Sequence, residues 1–352
     1  MHIHDLLRLT VAKGASDLHL KAGGVPVLRI DGELVPQQMP EMTPEDMERL
    51  FEQATTDAQR ISFAEGLELD FAYQADGIGR FRINAYLQGC TISLACRPIR
   101  METPTIEELG LPEVCKSLVL KPRGLVVVTG PAGCGKSTTL AAMMNHLNHQ
   151  ARRKVITIED PIEFVHQDKK CVFSQRELGG DTRSFANALK HALRQDPNVI
   201  LVGEMRDLET MAAALTAAET GHLVLTTLHT PSAAQAIDRF IDIFPPHHQH
   251  QVRIQLSTAL EGVLYQVLVP RSEGLGRVAA VEIMLATPAV RNLIREGKTY
   301  QLTNAMQTGS QYGMQTLDQA LLALYRNGVI SRDQALAYCV NVEELTGMLG
   351  SH

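Results

Sequence analysis

Gly130-Pro131-Ala132-Gly133-Cys134-Gly135-Lys136-Ser137-Thr138 follows directly on the apolar run Gly124-Leu-Val-Val-Val-Thr129, with Gly130, Gly135, Lys136 and Ser137 at the spacing G-x-x-x-x-G-K-S. A buried strand, a glycine-rich turn and a helix in that order make a phosphate cradle. The glycines let successive backbone N–H groups converge on phosphate oxygens, Lys136 adds a point charge at the β- and γ-phosphates, and the Ser137 hydroxyl suits Mg2+. The cradle predicts an α/β domain that binds ATP with Mg2+ through residues 130–138. A kinase, a GTPase and a motor all share this motif, so the other strand ends must discriminate.

Three further apolar runs, Lys154-Val-Ile-Thr-Ile158, Val199-Ile-Leu-Val202 and His222-Leu-Val-Leu-Thr-Thr227, alternate with helical stretches and imply a parallel sheet covered on both faces. Phosphate then sits at the carboxyl edge of the first strand. Glu204 ends the run Val199-Ile-Leu-Val-Gly-Glu204, where an acid meets magnesium or the attacking water, and it is the first choice for polarising that water; the alternative is an exposed residue of the turn at Arg206-Asp207. Glu159, Asp160 and Glu163 stand just beyond another strand, and magnesium would draw Glu159 and Asp160 together. Asp160, placed before Pro161, also suits a turn cap. His222 and His229 flank the fourth strand, as γ-phosphate contacts or as plain strand-end histidines. Arg80, Arg82 and Arg97 lie in or just after strands of the first domain, either as surface residues or as donors to phosphate, including that of a neighbouring subunit.

A chain of 352 residues, 45% hydrophobic and 20% charged, suggests two globular domains. We expect an N-terminal α+β domain at 1–100, with a helix at 4–12 and strands near 16–20, 27–30, 68–73 and 80–86. A linker follows at 101–115, then the nucleotide-binding core at 116–285. The helical region at 286–352 has Leu317, Ala320, Leu321 and Leu324 spaced for one buried face. No run approaches eighteen apolar residues and Met1–Asp5 lacks a secretion pattern, so the expectation is a cytoplasmic chain with at most peripheral membrane contact. Six scattered cysteines without a C-x-x-C pair read as free thiols, and a formal charge of −6 disfavours nucleic acid as a partner. The histidines of Phe244-Pro-Pro-His-His-Gln-His250 lack metal-ligand spacing and read as a solvated turn before a helix.

With these residues assembled, the chain resembles the type IV pilus and type II secretion ATPases, from Ser16-Asp-Leu-His-Leu20 to the helical tail. Four segments carry the resemblance in order: the cradle, Ile156–Phe164, Leu193–Asp207 and Thr220–His229. The resemblance implies a ring-forming ATPase, usually a homo-hexamer, with a PAS-like first domain and a RecA-like second. It implies active-site positions for Glu204, Glu163, His222 and His229, and reach of Arg82 and Arg97 to nucleotide. Within the family the retraction branch fits best. The chain lacks the four-cysteine zinc site of assembly members, and Pro288-Ala-Val-Arg-Asn-Leu-Ile-Arg-Glu296 is similar to that branch's tail segment. That branch implies pilus retraction and twitching motility, an inner-membrane platform protein as partner, a site at the pilus base and a paralogous retraction ATPase alongside.

Read physically, the tail segment is an amphipathic helix start with Val290, Leu293 and Ile294 on one side and Arg291 and Arg295 projecting elsewhere to transmit motion or bind a partner. Asn198 stands where the family usually has aspartate, and Cys134 replaces a small cradle residue. At Leu87–Arg97 an arginine common in the branch is absent while Arg97 stays. That last departure keeps a weakly hydrolysing accessory paralogue open as an alternative; a RecA-like DNA translocase fits the acidic balance less well.

Overall fold

The computed structural model describes residues 1–99, 102–273 and 276–349. It divides into two compact units, one of residues 1–102 with Pro161–Val165, the other of residues 103–160 and 166–352.

In the first unit six strands are described: β1 (Asp17–Lys21), β2 (Val27–Ile30), β3 (Glu33–Pro36), β4 (Glu68–Ala75), β5 (Gly79–Gln88) and β6 (Thr91–Pro98). They form an antiparallel sheet in the order β3-β2-β1-β6-β5-β4. Alternation along the strands buries Leu18, Leu20, Phe81, Ile83 and Leu94 beneath the helices Ile3–Ala12, Pro44–Ala54 and Asp57–Gly66. The helix Pro44–Ala54 starts where it does because Thr43 and Asp46 form a reciprocal capping box.

In the second unit seven strands are described: β7 (Gly124–Thr129), β8 (Lys154–Glu159), β9 (Val172–Glu177), β10 (Val199–Val202), β11 (Leu223–Leu228), β12 (Leu260–Pro270) and β13 (Arg277–Leu285). The sheet order is β13-β12-β7-β11-β10-β8-β9, parallel throughout except that β13 runs antiparallel to β12. Both faces are covered, as the unbroken apolar runs require. Leu125, Val127, Ile156, Ile158, Ile200, Val202 and Val224 face one core; Val126, Val128, Val155, Val199, Leu201, Leu223 and Leu225 face the other. The α/β class expected from the sequence is therefore the observed one.

Several expectations need correction. The expected linker 101–115 begins at Met101, outside the described residues, as do Arg100 and residues 350–352. Residues 103–115 already belong to the second unit, because Ile106, Leu111 and Cys115 are apolar and pack into the same core as Val126 and Val128. The histidines 247, 248 and 250 lie not in a turn but inside the helix Pro246–Ala259, which Pro246 opens.

The tail helix Pro288–Arg295 does bury Val290 and Ile294, with Leu293 packed against the same core. Arg291, however, does not project freely. Its guanidinium donates to the carbonyls of Ala286 (2.8 Å), Ser257 (2.8 Å) and Thr258 (2.6 Å) and pairs with Glu261 at 3.1 Å. Ser257 and Thr258 lie in the last turn of the helix Pro246–Ala259, whose C-terminal end attracts a cation. Arg295 alone is exposed. No helix among the described residues is long and apolar enough to cross a membrane.

Candidate functional site

Every residue of β7 is buried, so the strand is fixed between two apolar layers and Thr129 delivers the chain to Gly130 at the carboxyl edge. There the backbone enters conformations that side chains resist: φ is +146° at Gly130, +73° at Gly133 and +88° at Gly135. A Cβ on Gly130 would stand 2.3 Å from the Gln266 carbonyl oxygen on β12, so space as well as φ demands glycine. Gly135 then opens the helix Lys136–Gln150 with no side chain capping its first turn. The helices starting at Phe185, Leu208 and Ala233 are by contrast capped by Ser184, Asp207 and Ser232. Uncapped N–H groups beside a glycine turn are what an anionic phosphate takes up.

Lys136 is buried, and its ammonium donates to the carbonyls of Gly130 (3.0 Å) and Pro131 (2.9 Å), with His229 Nδ1 at 3.4 Å. Cys134 is buried within the turn, and burial raises its thiol above the ordinary range against the opposing charge of Lys136. Glu204 follows β10 as expected; its carboxylate is 15% exposed, accepts from Arg206 Nε at 2.7 Å and lies 4.0 Å from His229 Nε2. Burial and then the Lys136 charge push the His229 imidazole below its ordinary pKa, partly opposed by Glu204. A neutral ring accepts the Lys136 proton at Nδ1, so its own proton sits on Nε2, toward the carboxylate. Cradle, lysine, histidine and acid thus meet at one sheet edge.

Other expected residues stand elsewhere. His222 precedes β11, and Leu223 pairs with Gly124 while Leu228 pairs with Thr129. His222 is therefore at the amino edge, roughly 20 Å along the strand from the phosphate side, where its Nδ1 lies 3.1 Å from the Ala217 carbonyl. A strand cannot present both its flanking residues at one edge, which corrects the pairing of the two histidines within this chain. Glu159 ends β8 on the correct edge, but two strands separate β8 from β7, about 14 Å centre to centre. Its carboxylate accepts from Thr157 (2.6 Å) and Gln175 (3.4 Å), and Asp160 is exposed on the next bend. The strand leading to Glu204 is nearer the cradle, separated from β7 by β11 alone. Glu163 is exposed in the segment assigned to the first unit. In that unit Arg82 pairs with Asp70 at 3.5 Å and Arg97 with Asp17 at 2.8 Å.

Sequence reasoning missed three residues here. Thr230 donates its backbone N–H to the Thr129 hydroxyl at 3.0 Å, with the two hydroxyls 2.8 Å apart, and ties the segment after His229 to the end of β7. Arg206 partners Glu204. Gln266 on β12 touches the cradle itself; its signal was a single glutamine within the apolar run Gly262-Val-Leu-Tyr-Gln-Val-Leu-Val269.

Magnesium would suit this edge by donor chemistry, since the Ser137 hydroxyl and strand-end carboxylates are hard oxygen ligands. Ser137 is the second residue of the helix that the cradle opens, part-exposed where a ligand can reach it.

Comparison with known proteins agrees with this architecture. The chain is 51% identical over 335 residues, 95% of its length and 97% of the relative's, to the type IV pilus retraction ATPase PilT of Pseudomonas aeruginosa. It is 44% identical to the type IV pilus ATPase PilU of the same organism, over 99% of this chain and 92% of that one. The crystal structure of the pilus retraction motor PilT with bound ADP superposes with a TM-score of 0.92 at 44% identity, covering 99% of this chain and 100% of that one. A model of the family described as type II/IV secretion system protein matches residues 2–337, and the chain belongs to that family.

Proposed function

We propose that this chain is a Mg2+-dependent ATPase that powers retraction of a type IV pilus and hence twitching motility. The observation that carries the reading is the meeting of an uncapped cradle, Lys136, His229 and Glu204 at one sheet edge, in a chain half-identical to a retraction ATPase over nearly its whole length.

In this reading the cradle N–H groups and Lys136 hold the β- and γ-phosphates, and Lys136 leaves the carbonyls of Gly130 and Pro131 to do so. Ser137 would hold magnesium beside the cradle, where the ion would neutralise charge on the phosphates; Glu159 and Asp160, farther along the same edge, would act on it through its bound waters. Glu204 polarises the attacking water, and His229, neutral and adjacent, senses the γ-phosphate. Glu163, Arg82 and Arg97 act on nucleotide as the family positions imply, and His222, at the far edge of its own sheet, acts on it across a subunit boundary. The assembly is a homo-hexamer in the cytoplasm, docked on an inner-membrane platform protein at the pilus base. ATP binding favours one arrangement of each subunit over another, and hydrolysis removes that differential energy.

The test is ATP hydrolysis by the purified chain across a concentration series, with Glu204→Gln as blank, joined to pilus retraction in cells lacking their own motor. A rate per subunit that rises as rings assemble, with retraction restored, supports the reading. A flat rate near the blank with nucleotide still bound supports instead the accessory paralogue, which the missing arginine in Leu87–Arg97 favours. The higher identity to PilT than to PilU, 51% against 44%, favours the self-sufficient motor.

A further inference from the structure

Gln266 sits in β12, next to β7, with 1% of its surface exposed. Its amide bridges two parts of the phosphate cradle. Nε2 donates to the Cys134 carbonyl at 2.6 Å, inside the glycine turn, and Oε1 accepts the Thr139 hydroxyl at 2.8 Å, on the first turn of the following helix. Thr139 is itself buried. The same residue crowds both fixed glycines: its carbonyl oxygen lies 2.3 Å from a Cβ placed on Gly130, and its Nε2 lies 3.3 Å from one placed on Gly135. Turn and helix are therefore built around this one residue, through its backbone carbonyl at Gly130 and its side chain at Cys134, Gly135 and Thr139.

We propose that Gln266 is a positioning residue that sets the shape of the phosphate cradle and thereby its affinity for nucleotide. This rests on the nucleotide-site reading above and deepens it.

The amide has one workable orientation. A carbonyl accepts and does not donate, so Nε2 must face Cys134; Oε1 is then left to take the hydroxyl proton of Thr139. Reversing the amide would set oxygen against oxygen at the turn. The bond to Cys134 orients the peptide before Gly135, whose neighbours supply the N–H groups that face phosphate. A turn whose N–H groups already converge gives up less conformational freedom when phosphate binds. Gln266 lies beneath the cradle and touches no reacting atom, so its loss should weaken binding more than the chemical step.

Three substitutions separate this role from simple packing. Gln266→Met keeps length and apolar contact but neither hydrogen bond. Gln266→Glu keeps shape but places a carboxylate oxygen against the Cys134 carbonyl. Thr139→Val removes only the second bond. Binding of the fluorescent nucleotide mant-ADP with Mg2+, together with KM and kcat for ATP and the melting temperature without nucleotide, is measured for each and for the pair Gln266→Met with Thr139→Val. The expected result is at least tenfold weaker mant-ADP binding and raised KM in both Gln266 variants, with kcat falling much less. Thr139→Val has a smaller effect that vanishes once Gln266 is already methionine.

Unchanged affinity in folded Gln266→Met and Gln266→Glu overturns the proposal, as does a fall in kcat at constant KM. If both Gln266 variants fail to fold, Thr139→Val decides: unchanged affinity there overturns it too. A wild-type chain that binds no mant-ADP overturns the nucleotide-site reading itself, which is a distinct outcome.

Discussion

The ammonium of Lys136 lies 3.4 Å from Nδ1 of His229. A lysine only donates, so this contact requires a neutral imidazole with its proton on Nε2, the nitrogen 4.0 Å from the Glu204 carboxylate. The cradle lysine is thus joined, through one ring, to the candidate acid. A phosphate that draws Lys136 away frees Nδ1 and changes what His229 offers on both sides.

Glu204→Gln should retain nucleotide binding and lower turnover by at least about a hundredfold, the scale of one positioned acid or base. The substitution keeps an acceptor for Arg206 but removes the basicity that the proposed role requires. Fluorescent-nucleotide titration beside steady-state hydrolysis checks it, and near-normal turnover would remove Glu204 from the mechanism.

His229→Ala should lower kcat by at least about tenfold, the scale of one hydrogen bond to a charged group, and should change nucleotide affinity less. The wild-type kcat/KM, which reports the nucleotide-free chain, should also hold into acid below the ordinary histidine range, because burial and Lys136 keep the ring neutral there. The acid limb should move or vanish in the variant. A pH–rate profile of both proteins decides it.

Much of this was legible in the sequence for a physical reason: a buried parallel strand must be apolar throughout, so β7, β8, β10 and β11 announced themselves and their ends located Glu204 and His229. Edges were harder. His222 and His229 look equivalent in a linear reading, and only the register of β11 on β7 sends them to opposite sides. The strands β12 and β13 were not expected, because the helix Pro246–Ala259 runs straight into β12 at Leu260 without glycine or proline to mark the change. Gln266 was hidden with them, since the partners of a buried amide are set by packing across more than a hundred residues of chain. Arg291 was misjudged because helical periodicity says which way a side chain starts, not which carbonyls a long guanidinium reaches.

Arg291→Glu should therefore destabilise the chain, while Arg295→Glu should not. Reversing the charge at 291 removes donors from three carbonyls and sets two carboxylates together at Glu261. The expected loss is at least about 2 kcal/mol, with a melting temperature lower by roughly 5 °C or more. The exposed Arg295 should shift stability by no more than about 0.5 kcal/mol. Thermal melts of the two variants check this, and equal melting temperatures would refute the assigned contacts. A partner-binding role of the tail is then tested cleanly at Arg295, where a change in retraction is not confounded by unfolding.

His166 should make the second unit sensitive to acid. Its ring stacks on Phe173 with centroids 4.8 Å apart and planes 17° from parallel, and burial pushes its pKa down from 6.5 to about 4. Between those values the unfolded chain takes up a proton that the folded ring refuses, so stability rises with pH across the window and is lost as pH falls toward 4. The full shift corresponds to about 3 kcal/mol at its limit. His166→Phe keeps a ring against Phe173 but has nothing to protonate, so its stability should decline less between pH 6.5 and 4. Urea unfolding at pH 7, 6, 5 and 4 measures the difference between the two proteins. Parallel loss in both would mean that His166 is protonated without cost and that its burial does not govern acid unfolding.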